Sequence, residues 1–357
     1  MKLLKIFYIV LFPLLFFCSL IYRLILKLKE FLYKKNILIR KRATSTKIIC
    51  VGNITVGGTG KTSTVIYLAN ELIRKGYKVV ILTRGYKRKK KSDEPFILSD
   101  GQQILRTIQE SGDEPYMLAK KLKYIPVIVG RKRYLSACLA IEKFGPDIIL
   151  MDDGFQHTEL ERDLDIVMID CLNPFGNNYL LPLGILREPL IALKRAKIVV
   201  LTNCNFVNWV RLNFIINKIT GINRGIKIIR TAHKPCSITN YTTNEIYDIN
   251  WLRDKSVVLL HAIGNPKSFE LTIESTGAKI LNNYRFLDHH WYRKKELKKI
   301  LMKYEYIITT EKDAVRIENI DNLDKKLLSK LFILNIELED HGILIDTVEK
   351  LLSNSFV

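Results

Sequence analysis

The hydrophobic positions of this chain fall into three regimes. From Ile6 to Tyr22 they run for seventeen residues without a charge, between Lys5 and Arg23. That length is the lower limit of a membrane span. Next, Leu24, Ile25, Leu28, Phe31 and Leu32 recur at helical spacing against Arg23, Lys27, Lys34 and Lys35. This predicts an amphipathic continuation along a membrane surface. From Lys47 onward short runs rich in Ile and Val take over: Ile48–Val51, Val79–Leu82, Pro126–Val129, Ile148–Met151, Ile166–Ile169 and Ile198–Leu201. None alternates strictly with polar residues, so they predict parallel strands buried on both faces. Helical stretches such as Thr62–Lys75, Glu114–Leu122 and Arg131–Phe144 lie between them. The expected fold is α/β: a doubly wound, mostly parallel sheet. A second, smaller α/β lobe is expected from Val257–Leu260, Tyr306–Ile308 and Leu331–Ile336, with helices such as Lys294–Lys303 between them. With the boundary placed between Asn205 and Gly225, the chain divides into an anchor (1–46), a core (47–210) and a C-terminal lobe (211–357).

In such sheets ligands sit beyond the carboxyl ends of the strands, and the distinctive polar residues fall there. After the first strand, Lys47–Thr64 reads KIICVGNITVGGTGKTST. Backbone N–H groups around Gly57, Gly58 and Gly60 can turn inward on an anion where side chains are absent, and the following helix offers its positive end. Thr55, Val56, Gly57, Gly58, Thr59, Gly60, Lys61 and Thr62 thus form the expected phosphate cradle of a P-loop NTPase. Thr55 stands where the usual pattern has its first Gly. Lys61 is expected to reach the β and γ phosphates of ATP, and Thr62 to ligate Mg²⁺. Asp147–Gly154 is an apolar strand ending in Asp152 and Asp153, the type of element that delivers a carboxylate to Mg²⁺. Arg84, one residue after a strand end, is a candidate anion contact.

Two further segments have two readings each. Asp113 and Glu114 open a helix and serve either as capping residues or, for Asp113, as a proton acceptor in phosphoryl transfer. Asp288-His289-His290-Trp291 is either a surface turn or a piece of the site. Adjacent side chains point in different directions, so at most one histidine reaches a given centre.

Charge changes the picture at the N-terminus. The chain carries a net +21, and residues 1–47 hold eleven Lys/Arg against one Glu. No nucleic-acid module or aromatic-interleaved basic stripe is present, so nucleic acid is not an expected partner. Basic residues beside an apolar helix point instead to anionic lipid headgroups, with the body on the cytoplasmic side of the membrane. No small-residue cleavage pattern follows the apolar run, which argues against a cleaved leader. The six cysteines include no C-x-x-C pair and read as reduced thiols.

VGNITVGGTGKT (51–62), TRGY (83–86), SGDEPYMLA (111–119), MDDGFQH (151–157), LREP (186–189), AIGNP (262–266), LDHHWY (287–292) and TTEKDAVR (309–316) occur in the order seen in the tetraacyldisaccharide 4'-kinase, or lipid A 4'-kinase, family. The chain resembles that family over nearly everything after residue 47. The resemblance implies MgATP-dependent phosphorylation of the 4'-hydroxyl of a membrane-embedded acylated disaccharide 1-phosphate at the inner membrane; no obligate protein partner is inferred. It also implies Asp113 as base, paired with His289 or His290, and phosphate or metal positions at Lys61, Thr62, Glu114 and Asp152. Arg84, Asp153, Gln156, His157, Arg187 and Glu188 match motif positions as substrate or supporting contacts, and TTEKDAVR is expected to be mainly structural, lining the cleft between lobes. The basic run Lys87–Lys91 is outside the pattern.

The competing class is a membrane-bound switch or partitioning ATPase without a lipid acceptor. That class carries a Lys just before its two glycines, where this chain has Val56. A targeting GTPase would need Asn-Lys-x-Asp, and Thr202-Asn203-Cys204-Asn205 lacks both the Lys and the Asp.

Overall fold

The computed structural model describes residues 2–43, 46–86, 88, 93–320 and 323–353, with side chains from residue 11. Of the basic run Lys87–Lys91, only Arg88 lies within the described residues. It is buried, with its guanidinium over the Phe96 ring.

Helix α1 (Lys2–Lys34) runs unbroken through Pro13. Within it, Leu11–Lys34 is long and apolar enough to cross a membrane. One side, with Leu14, Phe17, Leu24, Ile25 and Leu28, is exposed. The other side docks on the body: Tyr22 and Leu26 pack against its core, and Ser19 Oγ donates to the Leu180 carbonyl at 3.0 Å.

Each of the six apolar runs expected as core strands forms one: β1 (Lys47–Asn53), β2 (Val79–Thr83), β4 (Val127–Val129), β5 (Ile148–Asp152), β6 (Leu164–Asp170) and β7 (Ile198–Thr202). Two edge strands complete the sheet, β3 (Phe96–Ser99) and β8 (Lys227–Arg230), in the order β3-β4-β2-β5-β1-β6-β7-β8. Only the β3–β4 pair is antiparallel. Helices α2 (Lys61–Arg74), α3 (Ile108–Ser111), α4 (Asp113–Lys121), α5 (Arg133–Phe144) and α6 (Trp209–Ile222) complete this layer. One face of the sheet buries Leu68 and Leu72 of α2 with Leu118 of α4, the other Ala137 of α5 with Leu212, Ile215 and Ile219 of α6.

The division expected near residue 210 therefore falls inside α6, which belongs to the first sheet. We place the crossover at Thr231, between β8 and β9 (Ala232–Asn240). The second sheet adds β10 (Ile246–Asp248), β11 (Ser256–His261), β12 (Lys279–Arg285), β13 (Ile307–Thr310) and β14 (Leu331–Glu339), in the order β10-β9-β14-β13-β11-β12. Helices α7 (Pro266–Glu274), α8 (Lys294–Lys303), α9 (Glu311–Glu318) and α10 (Lys325–Leu328) surround it. Pro235 sits inside β9 where the β14 register shifts between Asn335 and Ile336, the kind of irregularity at which a strand tolerates a missing N–H. Helix α11 (Ile343–Ser353) returns to the first layer and buries Leu344, Ile345, Val348 and Leu352 beside α2.

Polar bonds tie the lobes together next to the cradle. Asn265 Nδ2 donates to Asp170 Oδ2 at 2.8 Å, and Ser268 Oγ to Asn203 Oδ1 at 2.9 Å.

Candidate active site

The cradle follows β1, between the carboxyl ends of β5 and β6. Gly57 and Gly60 have φ of 108° and 83°, a left-handed conformation that glycine adopts without penalty. A Cβ on Gly60 would come 2.7 Å from His233 Cε1, so the loop also needs glycine for space. Gly60 caps α2 without a side chain, leaving the helix's first N–H groups and its positive end free for an anion. Asn53 Nδ2 donates to Thr59 Oγ1 at 3.1 Å, and Val56 N to the Ile185 carbonyl at 2.8 Å, which anchor the loop from below and from the side. Thr55 is buried beneath it.

A cleft of about 520 Å³ opens above the loop. Residues 56–62, Arg84, Glu114, Asp152, Asp153 and Arg187 line it from the first lobe, and Asn265, His289 and Lys312 from the second. Lys61 Nζ stands 3.7 Å from Asp153 Oδ1, which also accepts from Arg187 NH1 at 2.8 Å. Burial favours protonation of Asp153, but Lys61 and Arg187 outweigh it and hold the carboxyl below the ordinary range. Asp152 lies the other way: burial, then the charges of Glu114 and Asp153, push its pKa up to about 7. Its Oδ1 is buried without a hydrogen-bond partner. A buried, unpaired carboxylate oxygen among other carboxylates fits a divalent cation. No cluster of three His, Cys, Asp or Glu side chains forms among the described residues. Glu114 lines the cleft with its Oε1 bonded by Lys312 Nζ at 2.5 Å, so a metal there would share this carboxylate with the lysine.

The facing wall turns on Asp113, at the first position of α4 and 4% exposed. Its Oδ2 accepts from Arg316 Nε at 2.7 Å and from His289 Nδ1 at 2.9 Å. Burial raises the Asp113 pKa, but the bond from His289 and the charge of Arg316 prevail, and the carboxyl stays well below its usual range. Asp113 does not itself line the cleft; His289 does. His289 sits at φ 62° in the turn before α8, its ring edge-on to Tyr86 at 5.4 Å. His290 is the correction: its ring stacks on Phe286 at 4.6 Å and its Nε2 meets Glu296 at 3.2 Å, away from Asp113.

Other expected site residues act at one remove. Glu188 is buried and bonded by Arg195 NH2 at 2.8 and 3.0 Å, and Gln156 Nε2 donates to the Asn53 carbonyl at 2.8 Å. Neither lines the cleft, nor does His157. Burial and the nearby Arg133 and Arg84 charges press the His157 pKa down to about 3.

Residues read as mainly structural prove central. Arg316 is fully buried in α9, donating through NH1 to Asp313 at 2.8 Å and to the Ala262 carbonyl at 2.7 Å while gripping Asp113. Asp313 also accepts from Tyr292 Oη at 3.0 Å. The sequence signal was an Asp and an Arg three apart on a short helix that also carries Glu311, Lys312 and Glu318. The carboxylate that Arg316 grips, Asp113, lies some 200 residues away.

A family model for tetraacyldisaccharide-1-P 4'-kinase matches residues 11–353. The chain belongs to the tetraacyldisaccharide 4'-kinase family. Relatives carrying that name in Halothermothrix orenii and Elusimicrobium minutum are 38% and 36% identical, over 90% and 88% of this chain and 87% and 83% of theirs. The "apo" form of LpxK from Aquifex aeolicus, solved in complex with ATP, matches with a TM-score of 0.71 at 29% identity, covering 97% of this chain and 98% of that one. The tetraacyldisaccharide 4'-kinase family carries out ATP-dependent 4'-phosphorylation in lipid A synthesis. A match across both lobes disfavours the switch ATPase reading, which accounted for the cradle and the membrane helix but not for the second lobe.

Proposed function

We propose that this cleft transfers the γ-phosphate of ATP to the 4'-hydroxyl of tetraacyldisaccharide 1-phosphate, with the acceptor approaching from the membrane side at the inner, cytoplasmic leaflet. The observation that carries it is the cleft with the cradle on one wall and the Asp113–His289 pair on the other. The N–H groups of residues 57–62 and Lys61 hold the phosphates, and Thr62 and Asp152 would hold Mg²⁺. When bound, Mg²⁺ neutralises charge on the phosphate oxygens. Asp113 and His289 work as one acid–base unit that takes the proton of the attacking hydroxyl. In this geometry the cleft reaches the ring, while the buried Asp113 fixes its orientation and supplies the compensating charge. Arg316 keeps that carboxylate ionised and in place. Phosphoryl transfer needs little proton removal early on, so positioning matters more than base strength.

Helix α1 links this chemistry to the bilayer. Tyr22 Oη donates to the carbonyl of Arg187 at 2.8 Å, and Lys29 Nζ to that of Gln156 at 3.1 Å, so the docked part of α1 abuts cleft-supporting residues directly. The deciding experiment supplies ³²P-ATP, Mg²⁺ and tetraacyldisaccharide 1-phosphate in detergent. Label should pass to the lipid with the wild type and not with Lys61→Ala, whose thermal unfolding should remain near wild type. Absence of lipid labelling by the folded wild type would overturn the proposal.

A further inference from the structure

Helix α6 packs Leu212, Ile215 and Ile219 onto the sheet, yet its outer face is apolar too: Trp209, Val210 and Phe214 are 62%, 76% and 60% exposed. An outward Trp-Val-Phe group on a surface helix is unlike the usual polar face and calls for a partner. The charges around it are of one sign. Between Asp170 and Glu245 the only carboxylate is Glu188, already bonded to Arg195, whereas ten Lys/Arg fall in the same stretch. Arg230 lies over the Trp209 ring at 5.4 Å, and Lys218 over the Phe214 ring at 5.8 Å.

This face is continuous with α1. Lys218 Nζ donates to Asn178 Oδ1 at 2.6 Å, the neighbouring Tyr179 is 42% exposed, and its ring meets Phe16 of α1 edge-on at 6.3 Å. The path from Phe214 through Lys218 and Tyr179 thus arrives at the apolar half of α1.

We propose that α6 is a second membrane contact, with Trp209, Val210 and Phe214 entering the headgroup–acyl boundary of an anionic bilayer while Lys218, Arg230 and their basic neighbours meet phosphate headgroups. This rests on the reading of α1 as a membrane helix. Aromatic rings with cationic side chains beside them suit that depth, apolar below and wet above. Two contacts would also fix what a single helix leaves free, the rotation of the body about α1, and so hold the cleft at one height above the acyl chains.

The test uses the full chain with vesicles of phosphatidylethanolamine and phosphatidylglycerol whose acyl chains are brominated, read by tryptophan fluorescence. Trp251 and Trp291 lie in the second lobe, so bromine should quench the wild type and the quenching should largely vanish in Trp209→Phe. Val210→Glu with Phe214→Glu should weaken vesicle binding by at least about tenfold at low salt, leaving turnover of detergent-dispersed acceptor unchanged. Co-sedimentation with vesicles but equal quenching in wild type and Trp209→Phe would overturn the α6 contact and leave the α1 reading standing. No co-sedimentation would overturn both. A Trp209 emission that shifts with protein concentration and ignores bromine would assign the face to a protein surface instead, against the proposal.

Discussion

On the wall built by the first sheet, Lys61, Thr62, Asp152 and Asp153 all sit at the end of a strand or the start of a helix, within a few residues of the backbone feature that aims them. On the facing wall, His289 comes from a turn, Lys312 and Arg316 from α9, and all three converge on Asp113 and Glu114 of α4 in the other lobe. The first wall is a local motif repeated by many nucleotide-binding chains. The second exists only when the lobes are docked, and in the proposed mechanism it carries what distinguishes phosphoryl transfer from simple ATP binding. The difference implies that nucleotide binding should tolerate loosened docking, whereas phosphoryl transfer should not.

The largest expected effect comes from cutting the docked wall at its centre. Arg316→Ala would leave Asp113 and Asp313 as buried carboxylates without their cation, at a cost of about 3–5 kcal/mol in unfolding free energy. Denaturant unfolding measures it, and a loss below about 1 kcal/mol would show that the network carries little of the docking. Next is the acid–base pair. Asp113→Asn keeps the shape of the side chain but removes the charge, so kcat should fall by about 10²-fold or more with MgATP affinity little changed. His289→Ala should do likewise and combine with Asp113→Asn less than additively, since the two act as a unit. His290→Ala should stay within a few-fold of wild type. Comparable losses at both histidines, or strict additivity, would refute the pairing.

The smallest effect sharpens the comparison beside the cradle, where His233 of the second sheet lines the cleft next to Gly60. Burial lowers its pKa from the ordinary 6.5 to about 4. Above pH 6.5 the ring is neutral in both folded and unfolded chains, so its stabilising effect is fully present. As pH falls from 6.5 toward 4 the unfolded chain takes the proton first, and stability should drop by up to about 1.4 kcal/mol per pH unit. His157, held neutral in the same way, adds to the slope. Melting temperatures measured across that range should fall less steeply in His233→Gln, and an unchanged slope would exclude His233 as a source.

Residues 47–202 by themselves determined the parallel sheet, the glycine cradle, Lys61 and the carboxylates of β5, because a buried parallel strand and a phosphate loop each leave a continuous local pattern. The apolar N-terminal helix was equally legible, since an unbroken uncharged run has few other uses. The edge strands were not: β3 has only the three apolar residues Phe96–Leu98 after a basic run, and β12, KILNNYR, has polar residues at most positions, so neither shows the longer Ile/Val run of a buried central strand. The return of α11 to the first layer could not be read either, because an amphipathic helix does not specify which sheet its apolar face will meet. Tertiary structure decided which histidine meets Asp113. His289 and His290 are chemically identical neighbours in sequence, and the left-handed turn at 289 is what sends one ring to the carboxylate and the other to Phe286. It likewise decided that Arg316, on a short charged helix, is a buried ion-pair partner: only the docking of α9 on α4 removes it from water and brings Asp113 within its reach.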